Sequence, residues 1–439
     1  MFLLLIKRQN HLLMHLKEDR LSMAFISRIF TNKTIRAGGI FAFFSFLNQG
    51  LNFLLLLILS WYILPSSYGQ LNLFYTGVSV VSVLISLSSQ GILGVKYFKV
   101  SRVVLLQYIK SILLSTSLMA LVFLFVSLVF YDFIEQTISL SLTFQLICIY
   151  ICFVSVIYAL LTDIFRLEEK PISYGILTTI NTLVNVVFSL YFVITLHLDW
   201  TGRIWANVVA ETILFIVSIW LLITKRYFIF GFPTQKIFKE TLAFSIPLIP
   251  HNLTGWLRQG MDRFIINAHF LPSLVGLFSF ACNFANIISI AGTAFNQSNS
   301  VLIYKTLSTD TEVGRTYLRK QTGIMFFVFL ALTSLIIISC ILFLPFIFPH
   351  YRQSIKFLVP LCFSAFFQCV YLLFTNFLFY FQKTRQLMAI TFTISIVHLI
   401  LSLVFTPYSV LLTAYISLFS SFLQALIVFL YSRRLYKLF

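Results

Sequence analysis

Residues 246 to 273 read IPLIPHNLTGWLRQGMDRFIINAHFLPS, apolar enough to cross a bilayer yet holding Arg258, Asp262 and Arg263 near the middle. At about 100° per helical residue, His251, Arg258, Asp262 and His269 fall within about 20° of one line, with Arg263 and Asn252 about a third of a turn round. An Arg or Asp at the centre of a spanning helix costs about 2.5 to 3.5 kcal/mol, so three uncompensated groups cost roughly 8 to 10 kcal/mol. Arg258 and Asp262, at i and i+4, are expected to pair along the helix and recover part of that. Arg263 has no such partner and leaves the cluster net positive. The chemistry this points to is anion binding, since a guanidinium holds a phosphate or diphosphate through two parallel hydrogen bonds. The competing reading is an ion pair that fixes helix packing, or Arg263 snorkelling to the surface. Pro247 and Pro250, just before the charges, remove backbone hydrogen bonds and predict a hinge.

Weaker polar stripes recur at i, i+4: Asn48 with Asn52, Asn181 with Asn185, and Asn207 with Glu211. Such amides often tie helices together. Asn48, Asn52 and Asn185 are candidates for meeting a polar substrate, and Glu211, a carboxylate inside an apolar segment, is the coupling-ion candidate. His398 reads as a packing residue. No Walker A, dinucleotide fingerprint, HExxH or GxSxG is present. No catalytic residue, metal ligand set or cofactor is therefore expected, and the chain does not read as an enzyme.

The elements that carry these residues are set by composition. Hydrophobic residues make up 59% of 439 and charged ones 10%, with a mean hydropathy of +0.96. Apolar runs of about 20 residues match a hydrocarbon core of about 30 Å. The expectation is an all-α polytopic membrane protein of twelve spans, at 37–64, 71–94, 104–130, 140–162, 172–195, 203–223, 242–270, 274–303, 322–346, 357–381, 387–405 and 409–430. The alternation of an outer-membrane barrel is missing. The six cysteines lie inside spans without a CxxC pair and read as reduced core residues. The 51 phenylalanines read as lipid-facing filler. Residues 1–36 form a basic amphipathic leader with no signal-peptide cleavage pattern, and a start at Met23 would remove most of it.

Of the 31 Lys and Arg, 26 fall in the termini and loops of one side. Arg203, Arg352 and Lys356 fall in the opposite loops, and Arg258 and Arg263 complete the set. By the positive-inside rule both termini are cytoplasmic. The formal charge of +18 is thus a topology signal, and without a soluble basic domain no nucleic-acid partner is expected. The outer loops are short, and their carboxylates Asp132, Glu135 and Asp199 lack a paired spacing. That argues against a membrane glycosyltransferase or polysaccharide polymerase.

An internal repeat sits in the turns. LPSSYGQL at 64–71 returns as LPSLVGLF at 271–278, an offset of 207, and at the same offset Tyr97 meets Tyr304. A shift of six spans preserves orientation, so two parallel six-helix lobes around a central cavity are expected. The division is a leader at 1–36, an N-lobe at 37–223, a linker at 224–241, a C-lobe at 242–430 and a tail at 431–439. Pro with Gly four residues on also suits a plain helix-to-helix turn.

SWYILPSSYGQLNLF, SIPLIPHNL and GMDRFIINAHFLPSLVGLFSFA, with the basic loops and twelve spans, resemble bacterial polysaccharide flippases of the Wzx (RfbX) type. These belong to the multidrug/oligosaccharidyl-lipid/polysaccharide exporter superfamily. The resemblance implies alternating access in the bacterial plasma (inner) membrane. It also implies transfer of an undecaprenyl-diphosphate-linked oligosaccharide, for O-antigen or capsule, from the inner to the outer leaflet. Membrane lipid, a polysaccharide polymerase and a chain-length regulator are the implied partners. Arg258, Asp262 and Arg263 are the implied cavity residues, with His251 behind them, and the first span departs from the pattern in carrying no charge. The alternatives are a peptidoglycan lipid precursor flippase and a multidrug cation exporter. The latter would favour a net acidic cavity.

Overall fold

The computed structural model describes residues 33–228, 231–309 and 311–436, so the leader before residue 33 and the question of its start lie outside the described residues. Every regular element among them is helical. In the first half of the chain these are α1 (Lys33–Leu59), α2 (Pro65–Ser86), α3 (Gly91–Lys96), α4 (Arg102–Val129), α5 (Tyr131–Ile138), α6 (Leu142–Leu167), α7 (Pro171–Leu190) and α8 (Asp199–Thr224). The second half holds α9 (Gln235–Ser245), α10 (Leu248–Gln259), α11 (Met261–His269), α12 (Pro272–Thr309), α13 (Glu312–Ile347), α14 (Ile355–Tyr380), α15 (Thr384–Phe405) and α16 (Val410–Leu435). Pro65, Pro171 and Pro272 each open a helix, where a missing N–H leaves no bond unmade.

Eleven of the described helical segments are long and apolar enough to cross a membrane, and the chain is a multi-pass membrane protein. The expected seventh span, 242–270, departs from a continuous helix. It is divided into the end of α9, then α10 and α11, with breaks at Ile246–Pro247 and at Gly260. The proline break falls where the sequence places a hinge. The second does not follow from proline. Its glycine lies against the Trp256 indole, and a Cβ there would run into the ring.

In the first half α1 lies on α7, and α6 packs against α2, α4 and α8. In the second half α14 packs against α12, α13 and α16, and α15 against α16 and α10. Across the halves, α2 runs along α12 and touches α10 and α11. The repeated octapeptides meet themselves here. A Cβ on Gly69 would strike the carbonyl of Pro272, and one on Gly276 would strike the carbonyl of Pro65. Only glycine lets two helix backbones approach so closely. Aromatic groups surround this seam, at the face opposite the basic loops. Asn283 donates to the Tyr68 hydroxyl at 2.5 Å, Tyr351 stacks on Phe280 at 4.2 Å, and the Tyr351 hydroxyl donates to the Ile63 carbonyl at 2.7 Å.

At the basic face the connection between halves is strapped to the first one. Tyr227 donates to Glu168 Oε1 at 2.7 Å, Arg102 to the Lys225 carbonyl at 2.6 Å, and α9 is tied to α3 and α4 by the Lys96–Glu240 ion pair and a Tyr108–Glu240 bond of 2.7 Å. The Lys96 hydrogen bond, then that of Tyr108, hold the Glu240 carboxyl below its ordinary range.

Candidate functional site

Helix α10 delivers Arg258 and α11 delivers Asp262 and Arg263 to a cleft walled by α12, α14, α15 and α16. The cleft encloses about 630 Å³ of empty space, a figure that includes the part open to solvent. Both arginines line it and both are half-buried. Arg258 donates through Nη2 to Ser421 Oγ at 2.8 Å and through Nη1 to Gln424 Oε1, while its buried Nε has no partner among the described residues. Arg263 donates through Nε to Ser279 Oγ at 2.9 Å and through Nη1 to the Gln259 carbonyl at 2.7 Å.

Asp262 does not pair with Arg258 as the i, i+4 spacing predicts. It is 1% exposed and turns to α15, where His398 Nε2 lies 3.1 and 3.2 Å from its two oxygens and Ser402 donates at 2.7 Å. Ser417 of α16 donates to Oδ2 at 3.4 Å. The two side chains turn to different helices, Arg258 to α16 and Asp262 to α15, and each finds its partners there. Arg258 instead meets neutral groups of α16. The carboxylate borders the cleft but is engaged by His398 and the serines, and two guanidinium groups line it beside them.

His398, read from the sequence as a packing residue, is buried and satisfied, and what the sequence did not reveal is that its partner is Asp262. It is 1% exposed, and its Nδ1 lies 3.1 Å from Ser420 Oγ. A lone histidine in an apolar helix gave little signal. Its hydroxyl neighbour Ser402, one turn on, was the available hint, because a buried carboxylate needs donors from another helix. The His251 side chain lies outside the described ones.

The other candidates are not brought to this cleft. Asn52 donates to the Asn48 carbonyl of its own helix at 3.0 Å. Asn185 is buried, accepting from Arg203 and donating to Asn207 at 2.9 Å. Arg203, counted by sequence as a loop cation, is 8% exposed, donates also to Ser189 at 3.1 Å and stands 5.8 Å from the Tyr75 ring centre. Arg203, Asn207 and Glu211 lie at i, i+4, i+8 on α8, opposite Asn181, Asn185 and Ser189 with the same spacing on α7. In this second polar cluster Glu211 Oε2, the Tyr75 hydroxyl and Arg203 Nε are buried without hydrogen-bond partners among the described residues. No group of three or more His, Cys, Asp or Glu able to hold a metal occurs among the described residues.

Residues 35–301 match the family described as polysaccharide biosynthesis protein. The fold is similar to an inward-facing multidrug resistance MATE family transporter of the MOP superfamily, with 14% identity, TM-score 0.69, and 89% of this chain and 95% of that one covered. It is similar to the lipid II flippase MurJ in an inward closed conformation, with 14% identity, TM-score 0.70, and 89% and 87% covered. It is also similar to a MOP superfamily transporter from Pyrococcus furiosus noted for reversed polarity of its binding pocket, with 13% identity, TM-score 0.63, and 93% and 97% covered. No curated protein matches the sequence.

Proposed function

The chain belongs to the polysaccharide biosynthesis protein family, and from that premise we propose that it flips undecaprenyl-diphosphate-linked oligosaccharide units, destined for O-antigen or capsule, from the inner to the outer leaflet of a bacterial plasma membrane. One observation carries this reading: Arg258 and Arg263 line a cleft whose acidic residue, Asp262, is already taken up by His398 and two serines. A diphosphate diester offers two negative charges and several acceptor oxygens, which suit two guanidinium groups and a hydroxyl-rich wall. A multidrug cation would meet the wrong charge there.

With the basic face cytoplasmic, the Gly69–Gly276 seam closes the far side, and the headgroup reaches the arginines from the cytoplasmic leaflet. Asn48 and Asn52 remain first-half candidates for sugar hydroxyls, whereas its bonds to Arg203 and Asn207 take Asn185 out of that set. Glu211, with one carboxylate oxygen unpartnered, remains the candidate for a coupling ion. Alternating access pivots on the Pro247 break. The test is Arg258→Ala with Arg263→Ala in cells and in vesicles. Normal insertion with lipid-linked units left facing the cytoplasm is expected, and a full surface glycan from the double variant would overturn the reading.

A further inference from the structure

Beside the arginines lies a pair whose capacity to hold a proton the headgroup reading does not use. His398 and Asp262 join α15 to α11 in a setting where each is 1% exposed, and both also border the cleft. Every polar contact of this pair is internal: Ser402 and Ser417 donate to the carboxylate, and Ser420 faces His398 Nδ1. An ionised carboxylate only accepts, so Nε2 carries a hydrogen toward Asp262. Nδ1 then has two options against a hydroxyl, which can give or take a hydrogen bond equally well. With the ring neutral, Ser420 donates to Nδ1. With the ring protonated, Nδ1 donates to Ser420, and no contact is lost.

We infer that the His398–Asp262 pair is a proton-binding site whose occupancy is linked to anion binding at Arg258 and Arg263, the anion and the proton being taken up together. The inference rests on the proposal that the cleft holds a diphosphate. Arg258, Arg263 and ionised Asp262 give the site a net charge of +1 with His398 neutral and +2 with it protonated. The added charge sits in a buried setting that screens poorly. A bound anion therefore favours the protonated ring, and by reciprocity the protonated ring favours the anion.

The other ionisable groups around the pair do not compete for this role. Arg258 on α10 and Arg263 on α11 stay charged. Cys282 on α12 lies within electrostatic reach of Asp262 and Arg263, and Tyr371 on α14 within reach of Arg258. Thiols and phenols ordinarily titrate above the window in which imidazole does, about pH 5 to 8. Among the described residues, helix α16 makes its hydrogen bonds in this region through Ser417, Ser420, Ser421 and Gln424. The serines are what make both charge states tolerable, since a buried imidazolium facing an apolar wall would lack an acceptor for Nδ1.

The test uses the full chain in nanodiscs and a short-chain prenyl sugar diphosphate, a diester whose charge is constant across that window. Calorimetric titration in buffers of different ionisation enthalpy counts the protons taken up per ligand. Affinity that rises toward lower pH, by at most about tenfold per pH unit for one linked proton, with net proton uptake, is the expected result. His398→Gln should bind the diester with no pH slope. Binding without proton uptake in the unmodified protein, or a slope that survives in His398→Gln, overturns the inference while leaving the anion reading intact. Absence of binding at every pH defeats the anion reading and the inference with it. Should His398→Gln fail to fold, the proton count of the unmodified chain decides alone.

Discussion

At the scale of single residues, Arg203, Arg258, Arg263 and Arg166 divide by what they touch. Arg203 is enclosed by Asn185, Ser189 and Tyr75, so it ties helices together. Removing it strands those partners, and Arg203→Ala is expected to lower stability by about 1 to 3 kcal/mol, read as an earlier thermal unfolding in detergent. Arg258 and Arg263 keep one side toward the cleft. Arg258→Ala should strand Ser421 and Gln424, lowering stability by about 1 to 3 kcal/mol, and weaken headgroup binding by about 10- to 100-fold, the worth of a charged hydrogen bond. Arg258→Lys should recover only part of that, because an ammonium cannot hold Ser421 and Gln424 through one planar fork; a diester titration on both variants checks this. The fourth, Arg166, pairs with Asp163 three residues before it at 3.4 Å and is a helix-end contact. Sequence exposed the cationic character of the cleft because intramembrane charge is costly wherever it sits. It could not expose the partner of Asp262, since that choice depends on which helix lies alongside.

At the scale of elements the seventh segment is the departure from regularity. Its proline break was legible, because a missing N–H acts locally. The need for glycine at 260 was not, because it depends on the Trp256 indole, which lies across that position and donates to the Thr76 carbonyl of α2 at 3.1 Å. Gly260→Val should displace that ring, with a shift in tryptophan emission and loss of flipping in a vesicle assay. The clamp of α9 on the first half has its own pH dependence. Glu240 is held below its ordinary range by Lys96 first and Tyr108 second. A depressed carboxyl contributes above its unfolded pKa and loses that contribution as pH falls through the folded one. Acidification should therefore loosen α9 from α3 and α4, seen as a longer spin-label distance between α9 and α4, and Glu240→Gln should show the longer distance at neutral pH.

For the whole molecule, the all-helical, many-spanned architecture was legible from hydropathy alone, and the octapeptide repeat pointed to the position where the halves touch. The pairing of helices within each half was not, because apolar faces of similar width carry no address. The seam of α2 with α12 is held by backbone contact, so Gly69→Val or Gly276→Val should force the helices apart. Faster amide exchange over residues 64–72 and 271–279 checks this, and unchanged exchange would count against it.

A joint in which each glycine abuts the other helix's proline carbonyl has no side chains that could be shortened or rotated to ease it gradually. Any widening at this face therefore requires the two helix backbones themselves to separate, since no side chain at the contact can turn aside to make room.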